Sequence, residues 1–294
     1  MYRRLLLTAV LLAAGPALAE DGETVPDNRI TLDSLFALRG NPAGTAEALY
    51  LSYRRKLSNS DHVLLQDTFV SVGPTLMLTP GYAITGVQTK VQPLAVFAFR
   101  GAYEFYGSFG TAGQIRQFES LDEDYSDPAL KARGPGTKRI GGIGTLEGLV
   151  QAKVGPIAVR NTFVGRHFNI RSDDGQIAFY DQSTDLLAPT QGWVWTDDAD
   201  LLALLPNGLT AGARWTTAQA LHGTPGQASE TISRVGPLVA LTFFQRPGAA
   251  FNVPTVLLIS QWHVKHPYRA GEVSSAALPT LTLGFAFSGD LIPW

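Results

Sequence analysis

Residues 278–288 read Leu278-Pro279-Thr280-Leu281-Thr282-Leu283-Gly284-Phe285-Ala286-Phe287-Ser288. The odd positions from Pro279 to Phe287 carry large apolar residues; the even positions are mostly small or polar. A period of two is the repeat of a β-strand, whose successive side chains point to opposite faces. This strand therefore separates an apolar environment from a polar one.

The same division recurs upstream. In 94–106, Phe97, Phe99, Tyr103 and Phe105 oppose Arg100, Ala102 and Glu104. In 142–154, Leu146, Val150, Ala152 and Val154 oppose Thr145, Glu147, Gln151 and Lys153. In 207–217, Leu209, Ala211, Ala213 and Trp215 oppose Thr210, Gly212, Arg214 and Thr216. Residues 231–243 set Val235, Pro237, Val239, Leu241 and Phe243 against Ile232, Arg234, Gly236, Leu238 and Thr242. Residues 255–265 set Val256, Leu258, Trp262 and Val264 against Gln261, His263 and Lys265. Weaker alternation marks 45–57, 66–79, 82–92, 156–170 and 190–204.

A soluble sandwich alternates too. Two features favour a closed antiparallel transmembrane β-barrel. Aromatics sit on the apolar face towards strand ends (Tyr53, Tyr103, Phe105, Trp193, Trp195, Trp215, Trp262), as in the girdles at a lipid–water boundary. Short connections at 154–156, 205–208 and 246–252 alternate with long ones at 108–138, 171–189, 221–229 and 267–277. From residue 139 the pattern predicts seven strands: 139–154, 156–170, 190–204, 207–221, 229–246, 253–267 and 277–288. The total depends on Gln92-Pro93-Leu94. If the chain turns there, 30–38 is a further strand and the barrel has about 12; otherwise it has 10, since such barrels keep even numbers.

The N-terminus has the layout of a secretory signal peptide. Arg3 and Arg4 precede an apolar run from Leu5 to Ala14, and Ala17-Leu18-Ala19 supplies a small-x-small cleavage site. That run is shorter than the roughly 20 residues a membrane helix needs. The expected organisation is a signal peptide over 1–19, a periplasmic segment or first strand over 20–44, and a barrel domain over 45–294.

Composition narrows function. Charged residues make up 16% of the chain, against about 25% in soluble domains. Removing Arg3 and Arg4 leaves 21 Lys+Arg against 25 Asp+Glu, a net charge of −4 with no basic run, which gives nucleic-acid binding no support. There is no cysteine, which excludes thiol nucleophiles and cysteine-ligated metals.

The polar face supplies the candidate lumen residues: Lys90, Arg100, Lys153, Arg160, Arg166, Arg214, Arg234 and Lys265, with His263, facing Glu104 and Glu147. A lumen rich in Arg and Lys favours anions. The expectation is a passive pore with a weak anion preference, or a structural barrel whose interior is filled by side chains. No cofactor, metal site or catalytic residue is expected. Acidic residues at Asp122, Glu123, Asp124 and Asp127, at Asp173-Asp174 and at Asp197-Asp198-Asp200 match no calcium-loop spacing and read as surface loops. Gly141-Gly142-Ile143-Gly144 lacks the Lys-Ser/Thr of a phosphate loop. His263 and His266 are three apart on a predicted strand, so their side chains should diverge.

These strands, belts and the terminal aromatic Trp294 resemble Gram-negative outer-membrane β-barrel proteins. Asp67-Thr68-Phe69-Val70-Ser71-Val72-Gly73 and Val91-Gln92-Pro93-Leu94-Ala95-Val96-Phe97 are similar to uncharacterised outer-membrane proteins of proteobacteria. The resemblance implies a fold and a place: outer-membrane lipid around the barrel, and assembly machinery engaged through the C-terminal strand. It implies no activity and no oligomer. Gly289-Asp290 has to shift the phase, since Ile292 and Trp294 are even-numbered whereas the apolar face of 279–287 is odd. Two other functions stay open. A lipid or lipopolysaccharide hydrolase would resemble outer-membrane phospholipase A, but its His-x-Ser pair is replaced here by His263-Val264-Lys265. A surface interaction module would work through the acidic 108–138 loop.

Overall fold

In the computed structural model the described residues are 27–60, 62–111, 115–222, 231–271 and 274–293. The signal peptide, most of the 20–44 segment before Asn28, and Trp294 lie outside them.

Every strongly alternating segment is a strand. The wall begins with β1 (Asn28–Gly40), β2 (Gly44–Lys56), β3 (Phe69–Leu78), β4 (Tyr82–Leu94) and β5 (Phe97–Ser108). After a short strand, β6 (Gln117–Phe118), and one helix, α1 (Asp127–Ala132), it resumes with β7 (Ile140–Val154) and β8 (Ile157–Ile170). A second pair of short strands follows, β9 (Ala178–Asp181) and β10 (Leu186–Pro189). The wall is completed by β11 (Gln191–Leu204), β12 (Leu209–His222), β13 (Ile232–Thr242), β14 (Asn252–Lys265) and β15 (Thr280–Pro293). Twelve of these form a closed barrel, sealed where β1 pairs antiparallel with β15, while β10, β9 and β6 form a separate three-stranded sheet.

Twelve strands follow because the chain turns near Pro93. The turn is at Ala95-Val96, two residues later than expected, and Gln92-Pro93 falls in a register shift between Val91 and Leu94. Proline has no N–H to give a ladder and is tolerated at such a bulge. The segment at 30–38 accordingly lies within β1. Near the other terminus the phase shift required by Gly289-Asp290 is a bulge. Thr31 pairs with Asp290 and Ile30 with Ile292, leaving Leu291 without an opposite number.

The exterior of the wall is apolar. Phe105 is 65% exposed and Leu146 58%, while Arg100, on the same strand as Phe105, is 9% exposed. A soluble domain would bury the first two and expose the third. This inversion, maintained around a closed ring, is the architecture of a membrane-spanning barrel. The aromatic exterior is tightly stacked in places: Trp195 lies 5.0 Å from Phe163 and 5.0 Å from Trp193.

The two rims differ. The ends of β1 and β15 meet at one rim, with Arg29 opposite Pro293. This terminal rim also carries the connections at 57–68, 95–96, 155–156, 205–208 and 243–251. The opposite, loop rim carries short turns at 41–43 and 79–81 and the long connections at 109–139, 171–190, 223–231 and 266–279. The alternation of short and long connections thus holds from β5 to β12, whereas 223–231 is no longer than 243–251. It fails before β5, where 57–68 is the longest connection of its rim.

Candidate functional site: the lumen

At the loop rim the lumen is occupied by the chain's own loops. Leu186, Leu187 and Ala188 of β10 are fully buried against inner-face residues of the wall, among them Val194 of β11, Ala218 and Ala220 of β12 and Ile232 of β13. Ile115, Phe118, Tyr125 and Leu130 from the 109–139 connection join the same cluster, as do Tyr106, Ile143 and Phe168 of the wall. Hydrophobic burial thus holds the three-stranded sheet to one side of the mouth.

The tip of the β9–β10 hairpin reaches the other side. Arg39 of β1 donates through Nη1 to the backbone oxygens of Gln182, at 2.9 Å, and Ser183. Gln182 Nε2 donates to the Ala43 carbonyl in the β1–β2 turn. Asp185 is gripped most tightly. Its Oδ2 accepts from Arg269 Nε at 2.7 Å and its Oδ1 from the Tyr180 hydroxyl at 2.6 Å. His266 Nε2 lies 3.0 Å from the Asp185 backbone oxygen, and His263 Nε2 lies 3.7 Å from Oδ2. Arg269 also holds Asp127 of α1 at 2.8 Å. Burial pushes the Asp185 carboxyl up, but the hydrogen bond from His266, the Arg269 charge and the Tyr180 hydroxyl together hold it well below the usual carboxylate range. Burial and the neighbouring Asp185 carboxylate push the Tyr180 phenol well up.

His263 and His266 do not diverge: their ring centroids are 4.7 Å apart. A register shift beside Ser233 and Arg234 interrupts the alternation, and β14 ends at Lys265, one residue before His266. With Asp185 the two histidines offer three potential ligand atoms within 4.8 Å of one another. The hydrogen bonding argues against a metal. His266 Nδ1 accepts the backbone N–H of Tyr268 at 3.0 Å, which puts the proton on Nε2 and makes that atom a donor. The Asp185 carboxylate is already committed to Arg269 and Tyr180. Among the described residues the polar contacts of the two imidazoles are to Asp185 and to the Tyr268 backbone, and the rings also contact each other.

Below the mouth the predicted lumen residues fall into two networks. Arg100 donates to Glu147 at 3.1 Å and to Gln88 at 3.2 Å. Nearby, Glu104 accepts from Thr75 at 2.8 Å and Thr145 at 3.4 Å. In the second network Asp200 is shared: Arg160 Nε lies 2.9 Å and Arg214 Nε 2.7 Å from its two oxygens. Arg214 also reaches Asp198 at 3.3 Å, and Asp198 accepts from Thr216 at 2.5 Å. Lys90 is buried on an inner-face position of β4; Arg166 and Lys153 occupy half-buried inner-face positions of β8 and β7.

Three expectations are corrected here. Lys265 does not line the lumen: the register shift pairs it with Ser233 on the outer face, where it is exposed. Asp197-Asp198-Asp200 is not a loop but the middle of β11. Asp198 and Asp200 face inward, while Asp197 faces outward and accepts from Asn161 at 2.8 Å. Nor is the interior polar throughout. Towards the terminal rim Ala158, Leu202, Leu238, Ala240, Leu257 and Ile259 pack into an aliphatic cluster on the inner face of β8, β11, β13 and β14.

Several inner-face residues are additional to those expected. Asp33, Arg39 and Arg54 occupy alternate positions of β1 and β2, and Arg29 pairs with Asp290 at 3.3 Å. The described inner-face positions then carry eleven cations (Arg29, Arg39, Arg54, Lys56, Lys90, Arg100, Lys153, Arg160, Arg166, Arg214, Arg234) against six carboxylates (Asp33, Glu104, Glu147, Asp198, Asp200, Asp290). The surplus survives addition of the hairpin's Asp181 and Asp185 with Arg269. Beside the hairpin tip a cavity of about 660 Å³ descends from the β1–β2 and β3–β4 turns to Asp198, Arg214, Arg234 and Gln261.

No family model and no curated protein matches the chain. Three solved structures from Pseudomonas aeruginosa align along most of its length. OccK10 (OpdN) is 12% identical over 90% of this chain and 99% of that one, with a TM-score of 0.29. OccK8 (OprE) is 8% identical over 90% and 98%, at 0.28. The outer membrane protein OprD is 7% identical over 91% and 94%, at 0.27. Likeness at this level carries no statement about activity. The class rests on the barrel itself: a closed twelve-stranded antiparallel barrel, apolar outside, its mouth occupied by its own hairpin.

Proposed function

We propose that this protein is an outer-membrane barrel of a Gram-negative bacterium that lets small anionic solutes through, with passage limited by the β9–β10 hairpin. Export by the 1–19 leader, insertion through the C-terminal strand and a loop rim facing outward complete the proposal. The observation that carries it is the surplus of cations over carboxylates on the inner face. A wall with that imbalance concentrates anions and repels cations. Part of the surplus lies where a solute would pass, since the cavity beside the hairpin tip is lined by Arg39 and Arg234 together with the paired Arg214 and Asp198.

The test is conductance of the refolded protein in a planar lipid bilayer, with reversal potential measured under a salt gradient. Small anion-selective steps that grow when residues 178–189 are replaced by a short glycine–serine link are expected. Cation preference, or silence from the hairpin-replaced barrel in a form shown to be folded, would overturn the proposal.

A further inference from the structure

The cavity beside the hairpin tip is lined by two arginines whose hydrogen-bonding capacity is only partly used. Arg234 has Nε and Nη1 shielded from solvent with no acceptor, and Arg39 has Nε and Nη2 in the same condition. Both line the 660 Å³ cavity. Arg39 spends only Nη1, on the two backbone oxygens of the hairpin tip. Their neighbour Arg214 differs: its nitrogens go to Asp198 and Asp200, which cancel its charge. Asp198 is likewise committed, to Arg214 and Thr216, so the cavity's one lining carboxylate is already neutralised.

A shielded guanidinium without an acceptor is unfavourable, and its planar fork matches two oxygens of one anion. From this we propose that Arg39 and Arg234 form a binding site for a small free oxyanion, of carboxylate or phosphate type. The site deepens the anion-passage proposal and rests on it for its biological purpose, but not for its chemistry. It has direct access from the loop rim, because the cavity begins at Gly44 and at Thr79 to Tyr82 in the two short turns. A bound oxyanion takes the nitrogens that the hairpin leaves free, so binding does not require the tip to undock.

Isothermal titration of the full-length refolded barrel in detergent tests this, with inorganic phosphate and, separately, succinate added at constant chloride. Saturable binding of at least one anion is expected, with Arg39→Gln and Arg234→Gln each weakening it roughly tenfold or more. Arg234→Lys keeps the charge and loses the fork, so it falls between the two. It also carries the test if a glutamine variant fails to fold by circular dichroism. No saturable binding of either anion, or unchanged affinity in both glutamine variants, overturns the site. A barrel that binds phosphate but is silent in the bilayer keeps the site and loses the pore. One that conducts without binding keeps the pore and loses the site.

Discussion

Asp185 and Arg269 meet at the mouth of the barrel, Oδ2 to Nε at 2.7 Å, although 84 residues separate them in the chain. One belongs to the hairpin tip and the other to the β14–β15 connection on the loop rim. Their side chains are 1% and 6% exposed. The pair therefore ties a loop that enters the lumen to the wall it reaches.

Removing one partner leaves the other charge buried and uncompensated, which costs about 3–5 kcal/mol for well-shielded pairs. Asp185→Asn should loosen the tip by about 3 kcal/mol while the hydrophobic cluster under β10 keeps the base of the hairpin in place. Hydrogen exchange checks this. The amides of 180–187 should lose protection while those of β7 and β8 do not. Equal loss throughout would mean that the hairpin and the barrel unfold as one unit.

The pH dependence follows from the same groups. The folded Asp185 carboxyl is depressed, so its contribution is present above the unfolded value of about 3.9 and is lost as pH falls below it. The Tyr180 phenol is raised, so its contribution is present below about 10 and is lost only as pH rises above that. The neighbouring Arg269 stays charged, held further up by Asp185 against the opposing effect of burial. Asp185 and Tyr180 thus leave hairpin protection flat between about pH 5 and pH 9. A midpoint near neutrality in an exchange or conductance titration would show that neither Asp185 nor Tyr180 controls the hairpin.

The barrel could be read in the sequence because period-two alternation is local: each strand of the wall declares its own faces. The strand that closes it was harder. Asp33, Leu35, Ala37 and Arg39 do alternate with Leu32, Phe36 and Leu38, but Ser34 falls on the outer face and the polar positions are spread among apolar ones. Asp198 and Asp200 lie within the predicted strand 190–204, yet a run of three aspartates within four positions also has the composition of a loop. The arginines opposite, Arg160 and Arg214, are what give the two inward carboxylates their partners. Lys265 failed for a different reason, since one bulge reverses every side chain beyond it. The Asp185 cluster left no local trace at all. It joins residues from three connections and two strands, and no spacing rule relates them.

Asp200 offers a test of the middle of the barrel. Its side chain has no exposure and serves two arginines, Arg160 and Arg214. Asp200→Asn keeps the shape but leaves two buried guanidinium groups facing a neutral amide. Loss of about 3–5 kcal/mol is expected, read as a lower urea midpoint or as unfolding at lower temperature by heat-modifiable migration in gels. Asp197→Asn alters the neighbouring carboxylate, on the outer face, where the partner is the uncharged Asn161. Its effect should stay within about 1 kcal/mol. If the two variants are equally stable, the mid-lumen network adds nothing to the barrel.

The last prediction concerns the outer wall. Gly165 of β8 lies under the Trp195 ring: a Cβ placed there would overlap three atoms of the indole. That close approach lets Trp195 lie flat, with interplanar angles of 22° to Phe163 and 12° to Trp193. The stack belongs to the aromatic girdle near the loop rim, where amphipathic rings sit at a membrane boundary. Gly165→Val forces the indole off the strand and breaks both contacts. Strands β8 and β11 keep their pairing, because the backbone ladder does not depend on the ring. The cost should be about 1–3 kcal/mol, typical of overpacking at a site that can yield outward. Tryptophan emission of the protein in lipid vesicles should change, while the conductance of the lumen should not. A change in ion selectivity in this variant would show that the outer girdle and the inner network are mechanically coupled through the wall.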